Sequence, residues 1–376
     1  MYNTSCPHIP DHDIPLILKN IEDVLRNNKL LTMGDHVKEF ERKFSAHAGT
    51  KYAAATNSCT SALEDSLKSV NVKNKEVIVP VQTFIATGLS IVNAGGTPIF
   101  ADINDDYNIS YESVKKKLTP LTKAVIIVHY AGLISDDIFK IKDLCKKNKI
   151  YLIEDCAHAT ASSLNGLCAG SIGDIGCFSF YATKIITSGE GGMIVTDDKD
   201  IYQKCASHRS RGIDINSHEE LFINPGSNHH MTEVNAIIGL SQLDRLKEFA
   251  AHRRRIANIY DKELSNLEKE GLIRIIRSRN KKNIHSYWRY LVKLKNSNRA
   301  EIQKKLLKKE IKIDWAYYPP LHQQPVFEKM YGKKFLPNSE TLMKKHACLP
   351  VHTKISENAA RFIACEFINS IKETVR

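Results

Sequence analysis

The sequence predicts an α/β protein with a mostly parallel central sheet, followed by a smaller C-terminal α+β lobe. Three observations carry that expectation. From Tyr52 onward, short apolar runs alternate with helical stretches, and each run is too short and too uniformly apolar for an exposed helix, as expected of strands buried on both faces. Helix-rich text then resumes at Thr232. With 376 residues, 42% of them hydrophobic, the chain can fill one large core and a smaller one, which places the expected domains at 1–245 and 246–376.

The elements follow in order. Residues 11–47 read as a helical entry, with "DHDIPLILKNIEDVLRNN" amphipathic and "GDHVKEFERKFSAHA" a second helix. The strand "YAAAT" precedes the helix-forming "TSALEDSLKSV", "EVIVP" precedes "FIATGLSIVNAG", and "PIFADI", "AVIIVHY" and "IYLIEDC" come next. Two more strand candidates, "GCFSFYA" and "GGMIVTD", flank Lys184. A long helical stretch from "TEVNAIIGL" to "DKELSNL" can link two lobes. Beyond it, "SYWRYLVKL", a helix near "RAEIQKKLLKKEI" and a closing helix around "SENAARFIACEFINSIKETV" make the small lobe.

Composition excludes several classes. The net charge of +12 comes largely from basic residues at helical spacing with acids nearby, as in "HRRRIANIYDKEL", so solvated helix faces account for it and no nucleic-acid partner is expected. No apolar run reaches the roughly 18 residues of a membrane span, and "MYNTSCPHIPDHDIP" lacks the basic-then-apolar order of a signal peptide. The nine cysteines form no CxxC pair and no zinc spacing, which fits reduced thiols, no metal and a cytoplasmic location.

In a parallel α/β sheet, ligands gather at the carboxyl ends of strands, so the polar residues there matter most. After "YAAAT" come Asn57, Ser58, Cys59 and Thr60 at a helix start, either an ordinary N-cap or an anion site. Thr83 and Phe84 follow "EVIVP", the ring being either core or a face for stacking. Glu154, Asp155 and His158 follow "IYLI"; a carboxylate there needs a cap to make or a positive partner. Lys184 either snorkels to water or is a desolvated amine able to attack a carbonyl, and Gly189, Gly191 and Gly192 would let the backbone turn close to a bulky ligand. A phosphate site, a stacking ring, a carboxylate for a pyridinium and a Schiff-base lysine are together what pyridoxal phosphate requires.

The set "NSCTSAL", "EVIVPVQTFIAT", "GGTPIFADI", "IEDCAHA", "GCFSFYATKIITSGEGGMIVTDD", "GSNHHMTEVNAIIGLSQL", "YYPPLHQQPVF" and "CLPVHTKIS" resembles the DegT/DnrJ/EryC1/StrS family of sugar aminotransferases, which use pyridoxal 5'-phosphate. The resemblance implies a fold type I homodimer with an active site shared between subunits. It assigns Lys184 to the Schiff-base lysine, Asp155 to the carboxylate at the pyridine nitrogen, Phe84 to the ring face and His158 to the position near the phenolic oxygen. Ser58, Thr60 and Ser179 match phosphate ligands, with Cys59 in the same loop where many members have glycine. Asn228 matches an asparagine that reaches the neighbouring subunit's phosphate. Tyr181, His230 and Tyr317 depart from the common residues, all where substrate is handled.

The resemblance further implies transfer from L-glutamate to a keto group of a nucleotide-linked 6-deoxy sugar, for lipopolysaccharide or other glycan precursors. "NSCTSAL" and "VHYAG" lean towards members that aminate C4, with C3 the alternative. The retained lysine separates the chain from dehydratases that carry histidine there. A non-catalytic, cofactor-binding regulator is the reading from another class, and the intact Asp155 and Lys184 pair speaks against it.

Overall fold

The computed structural model describes residues 1–27, 29–295 and 297–375. Asn28, the last residue of the first expected helix, and Arg376, the end of the second expected domain, lie outside the described residues. The strands are β1 Tyr52–Thr56, β2 Glu76–Pro80, β3 Thr97–Ala101, β4 Thr122–Val128, β5 Tyr151–Asp155, β6 Ser163–Leu164, β7 Leu167–Cys168, β8 Ile175–Ser179, β9 Gly192–Thr196, β10 Ile273–Ile275, β11 Asn283–Ile284, β12 Tyr290–Leu294 and β13 His346–Leu349. Seven of them form one sheet in the order β1-β9-β8-β5-β4-β2-β3.

Strand alternation splits the sheet's side chains between two cores. Val125 and Ile127 join Leu152, Phe178 and Met193 beneath the helices Asp35–Ala48 and Ile138–Asn148, while Ile126 and Val128 join Ile153 and Ile194 beneath Cys59–Ser69 and Lys199–Arg209. Because both faces are covered, each buried Val, Ile or Phe contributes on the order of 1.5–3 kcal/mol. That two-sided burial is why the strands read as unbroken apolar runs.

β9 departs from the parallel pattern. It runs antiparallel to both neighbours, β1 and β8, because residues 180–191 join β8 to β9 by a loop, without the crossover helix a parallel return needs. The loop stays at the edge where β1 and β8 end, and it carries Lys184. Register then aligns Thr56, Gly192 and Ser179 across three adjacent strands.

The smaller sheet, β10-β12-β13, packs with the helices Leu246–Glu263, Arg299–Leu307 and Glu357–Val375 around Tyr260, Tyr290, Ile302, Leu349 and Phe367. Two ties join it to the large sheet. The β6–β7 hairpin pairs with β11, and the first residues of the chain cross over, Tyr2 bridging Ile311 and Thr4 donating to Asp314 at 2.6 Å. Among the described residues no helix is long and apolar enough to cross a membrane.

Candidate active site

The loop after β8 is held by hydrogen bonds that do not involve the Lys184 side chain. Phe180 N–H donates to Gly191 O at 2.9 Å, Ser188 N–H to Phe180 O at 2.9 Å, and Asn235 Nδ2 to Ser188 O at 2.6 Å. Ile185 and Ile186 are buried beneath it. Lys184 itself is half-buried, and burial drives its amine down to about 8 from 10.5, against the pull of Cys59 and Asp155, with the Arg289 charge lowering it further. Its Nζ lies 4.7 Å from the centroid of the buried Trp288 ring, an inward placement that suits a reactive lysine better than one that snorkels to water.

Glu154 and Asp155 end β5 differently. Glu154 is fully buried and its carboxylate accepts from Ile172 N (2.7 Å), Gly173 N (2.5 Å), Gly170 N (2.9 Å) and His129 Nε2 (2.8 Å). Cys156 brings a third metal-type atom to this pair, but the carboxylate is already filled by the fold's own donors. Among the described residues the Asp155 carboxylate accepts only from Thr87 Oγ1 at 2.8 Å and Ala157 N at 3.1 Å, and burial raises its pKa. It retains capacity for another donor.

His158 stacks on Trp288, ring centroids 3.7 Å apart and 5° from parallel, and its Nε2 meets Tyr317 Oη at 3.1 Å. Its Nδ1 is buried without a partner. Burial, then the charges of Lys184 and Arg289, hold the imidazole neutral well below its usual range. Phe84 is 52% exposed and tilts towards Tyr317 at 5.2 Å; it is an open ring face, not a core phenylalanine.

Ser58 caps the helix Cys59–Ser69, its Oγ accepting from Ser61 N at 3.1 Å. Cys59 and Thr60 occupy the first helical turn, and burial pushes the Cys59 thiol well up. Ser179 is buried at the end of β8, its Oγ accepting from Tyr181 N at 3.4 Å. Ser58 and Thr60 stand at the amino end of that helix, where free N–H groups and the helix dipole favour an anion, and Ser179 pairs with Gly192, whose backbone abuts the Ser58 carbonyl.

The glycines work at the backbone. A Cβ at Gly192 would collide with the Ser58 carbonyl, one at Gly191 with Ser188 and Met231, and Gly189 turns at φ +83°. Gly191 and Gly192 thus seat the lysine loop tightly against the Ser58 turn. Asn228 lies exposed on the segment that bridges to Ser210, and its neighbour His229 accepts from Asn57 N at 2.9 Å. His230 Nε2 sits 3.0 Å from Ser210 Oγ, and Tyr181 is exposed beside the lysine.

Three residues of the site escaped the sequence reading. Thr87, four positions after Thr83 and bonded to it at 2.7 Å, could have been found from that spacing at the start of a helix. Trp288 and Arg289 come from the small lobe and carried no local signal.

A loop-borne lysine with a depressed pKa, a buried carboxylate with spare acceptor capacity, an orphaned imidazole nitrogen and a hydroxyl-lined helix start suit the amine-reactive aldehyde, pyridinium and phosphate of pyridoxal phosphate. Fold and site together define a pyridoxal-phosphate-dependent transaminase. The comparisons agree: residues 12–367 match the model of the DegT/DnrJ/EryC1/StrS aminotransferase family, and the chain belongs to that family. It is 33% identical to GDP-perosamine synthase of Escherichia coli O157:H7, covering 93% of each chain. It is 30% identical to UDP-4-amino-4,6-dideoxy-N-acetyl-beta-L-altrosamine transaminase of Campylobacter jejuni, covering 100% of this chain and 99% of that one. Among solved structures it resembles the putative sugar aminotransferase Spr1654 from Streptococcus pneumoniae in its PMP-form, with TM-score 0.90, 26% identity and coverage of 99% and 98%. The protein is a nucleotide-sugar aminotransferase with pyridoxal phosphate as cofactor.

Proposed function

We propose that the enzyme moves an amino group from L-glutamate to the C4 keto group of a nucleotide-linked 6-deoxy sugar, supplying lipopolysaccharide or other glycan precursors in the cytoplasm. The observation that carries the chemistry is the desolvated Lys184 amine beside Asp155. An amine brought down to about 8 by burial is still mostly ammonium at pH 7, but it is neutral far more often than an ordinary lysine, which brings it within range of general-base work. The "4-amino" in the name of the Campylobacter relative supports C4, and nine free thiols suit a reducing compartment.

Bound pyridoxal phosphate supplies the electron sink and carries the amino group between the two half-reactions. Lys184 would anchor it, and once displaced its Nζ would shuttle a proton from the donor's Cα to the cofactor carbon in the first half-reaction and from that carbon to the sugar carbon in the second. Asp155 holds the pyridine N–H in a dry site, where such a charge pair is strongest. Ser58, Cys59, Thr60 and Ser179 would hold the phosphate, and Phe84 and His158 would hold the ring.

We further read a homodimer in which Asn228 completes the partner's phosphate site. Leu18, Leu25, Leu30, Leu31 and Phe222 are exposed in the single chain, as is Tyr181 beside Lys184, apolar side chains that an interface would cover. Residues 1–245 then form the cofactor domain and 246–376 the smaller one, with the first residues packed across onto the latter.

The test is turnover against UDP-, dTDP- and GDP-linked 3-keto and 4-keto sugars with L-glutamate, following 2-oxoglutarate. Turnover of a 4-keto sugar is expected. Turnover of 3-keto sugars alone would overturn C4, and failure of glutamate where another amino acid succeeds would overturn the donor.

A further inference from the structure

The small lobe reaches the lysine through one segment. Ser286 Oγ donates to His158 O at 3.0 Å, Ser286 N to Gly132 O at 3.3 Å, and Arg289 N to Ala131 O at 3.2 Å. Gly132 makes this approach feasible: any Cβ there would collide with Ser286 and crowd the His158 carbonyl. The segment thereby delivers Trp288, only 2% exposed, into the middle of the site.

Trp288 makes three contacts there at once. Its indole N–H donates to Thr183 O at 3.0 Å, the carbonyl immediately before Lys184. Its ring face lies 4.7 Å from Lys184 Nζ. Its plane is parallel to the His158 imidazole at 3.7 Å. The Arg289 guanidinium also lies 4.0 Å from the ring, and it is neutralised by Asp314 at 3.1 Å.

We propose that Trp288 is a positioning residue of the transamination: its N–H fixes the backbone that aims Lys184, and its ring favours the lysine while Nζ carries the proton. A ring face attracts an ammonium and leaves a neutral amine indifferent, so it stabilises one of the two states between which the base must alternate. The titratable and charged groups facing Lys184 are Cys59, Asp155, Arg289 and His158; Trp288 adds to them a ring face and a backbone clamp. The inference rests on Lys184 being the reactive lysine.

The experiment uses the full chain, with three variants. In apoenzyme, the pH midpoint for reductive methylation of Lys184 is read by peptide mass spectrometry; in holoenzyme, kcat, KM for glutamate and cofactor affinity are measured. Trp288→Leu is expected to lower the midpoint by about one pH unit, since the protonated amine loses its ring face, and to reduce kcat roughly tenfold with KM little changed. Trp288→Phe keeps the ring and loses the N–H, so the midpoint is restored while kcat stays several-fold low. An unchanged midpoint in Trp288→Leu, or full kcat in Trp288→Phe, overturns the proposal; if Trp288→Leu does not fold, a lowered midpoint in Trp288→Phe overturns it equally. Lys184→Ala keeps the two readings apart. A covalent cofactor adduct persisting in Lys184→Ala removes the lysine assignment itself, whereas loss of the adduct together with unmoved Trp288 variants removes only this inference.

Discussion

Glu154 and Asp155 stand side by side at the end of β5, and strand alternation sends their side chains to opposite faces of the sheet. Both are buried. Glu154 meets four donors supplied by the fold, three backbone N–H groups and His129; Asp155 meets two. A saturated buried carboxylate is scaffold, because removing it strands its donors. One with acceptor capacity to spare is a socket for a ligand's donor, and its folding cost is recovered only when the ligand arrives.

The sharpest way to break that comparison is to exchange the losses. Asp155→Asn should lower kcat/KM by roughly two to three orders of magnitude. It should leave the thermal midpoint of the apoenzyme unchanged or higher: a carboxyl whose pKa is raised by folding costs stability above its unfolded value, and that cost fades as the pH falls. Glu154→Ala should do the reverse, costing about 3 kcal/mol in urea unfolding of the apoenzyme by leaving the three N–H groups and His129 unpaired, while the fraction that folds still binds cofactor. Loss of activity without loss of stability in Glu154→Ala would dissolve the distinction.

A smaller effect sharpens the electrostatics. Reductive methylation of Lys184 in the apoenzyme should rise through a midpoint near 8 instead of 10.5, and Asp155→Asn should lower that midpoint further, since the carboxylate charge favours the ammonium. The corresponding Glu154 variant should leave it in place. Smallest of all, Thr87→Val removes one hydrogen bond to Asp155 and should weaken cofactor binding about fivefold, as expected for about 1 kcal/mol; equilibrium binding monitored by absorbance would read it.

The same pair marks how far sequence alone carries. The strands of the main sheet were legible because two-sided burial demands unbroken apolar text, and Lys184, Ser58 and Asp155 stood out as polar residues at their ends. Sequence could not say which of the adjacent carboxylates was occupied: that depends on Gly170, Ile172 and Gly173 turning their N–H groups back under β5. Nor could it show the direction of β9, which follows from the lysine loop taking the place of a crossover helix. The glycine cluster after Lys184 stood out in the sequence, but that Gly191 and Gly192 pack against Ser188, Met231 and the Ser58 carbonyl depends on residues distant in the chain. Trp288 and Arg289 lie a hundred residues from Lys184, and their place in the site exists only once the small lobe has folded back.

The amino-terminal crossover has a practical side. Arg289, whose guanidinium lies against the Trp288 ring, donates to the Thr4 carbonyl at 3.2 Å and shares Asp314 with the Thr4 hydroxyl; His8 Nδ1 meets Thr353 Oγ1 at 3.0 Å. The first eight residues thus act as a strap buckled behind the active site. Deleting residues 1–8 would slacken the buckle, so a shortened form that lacks them would lose the contacts that hold Arg289 behind the Trp288 ring.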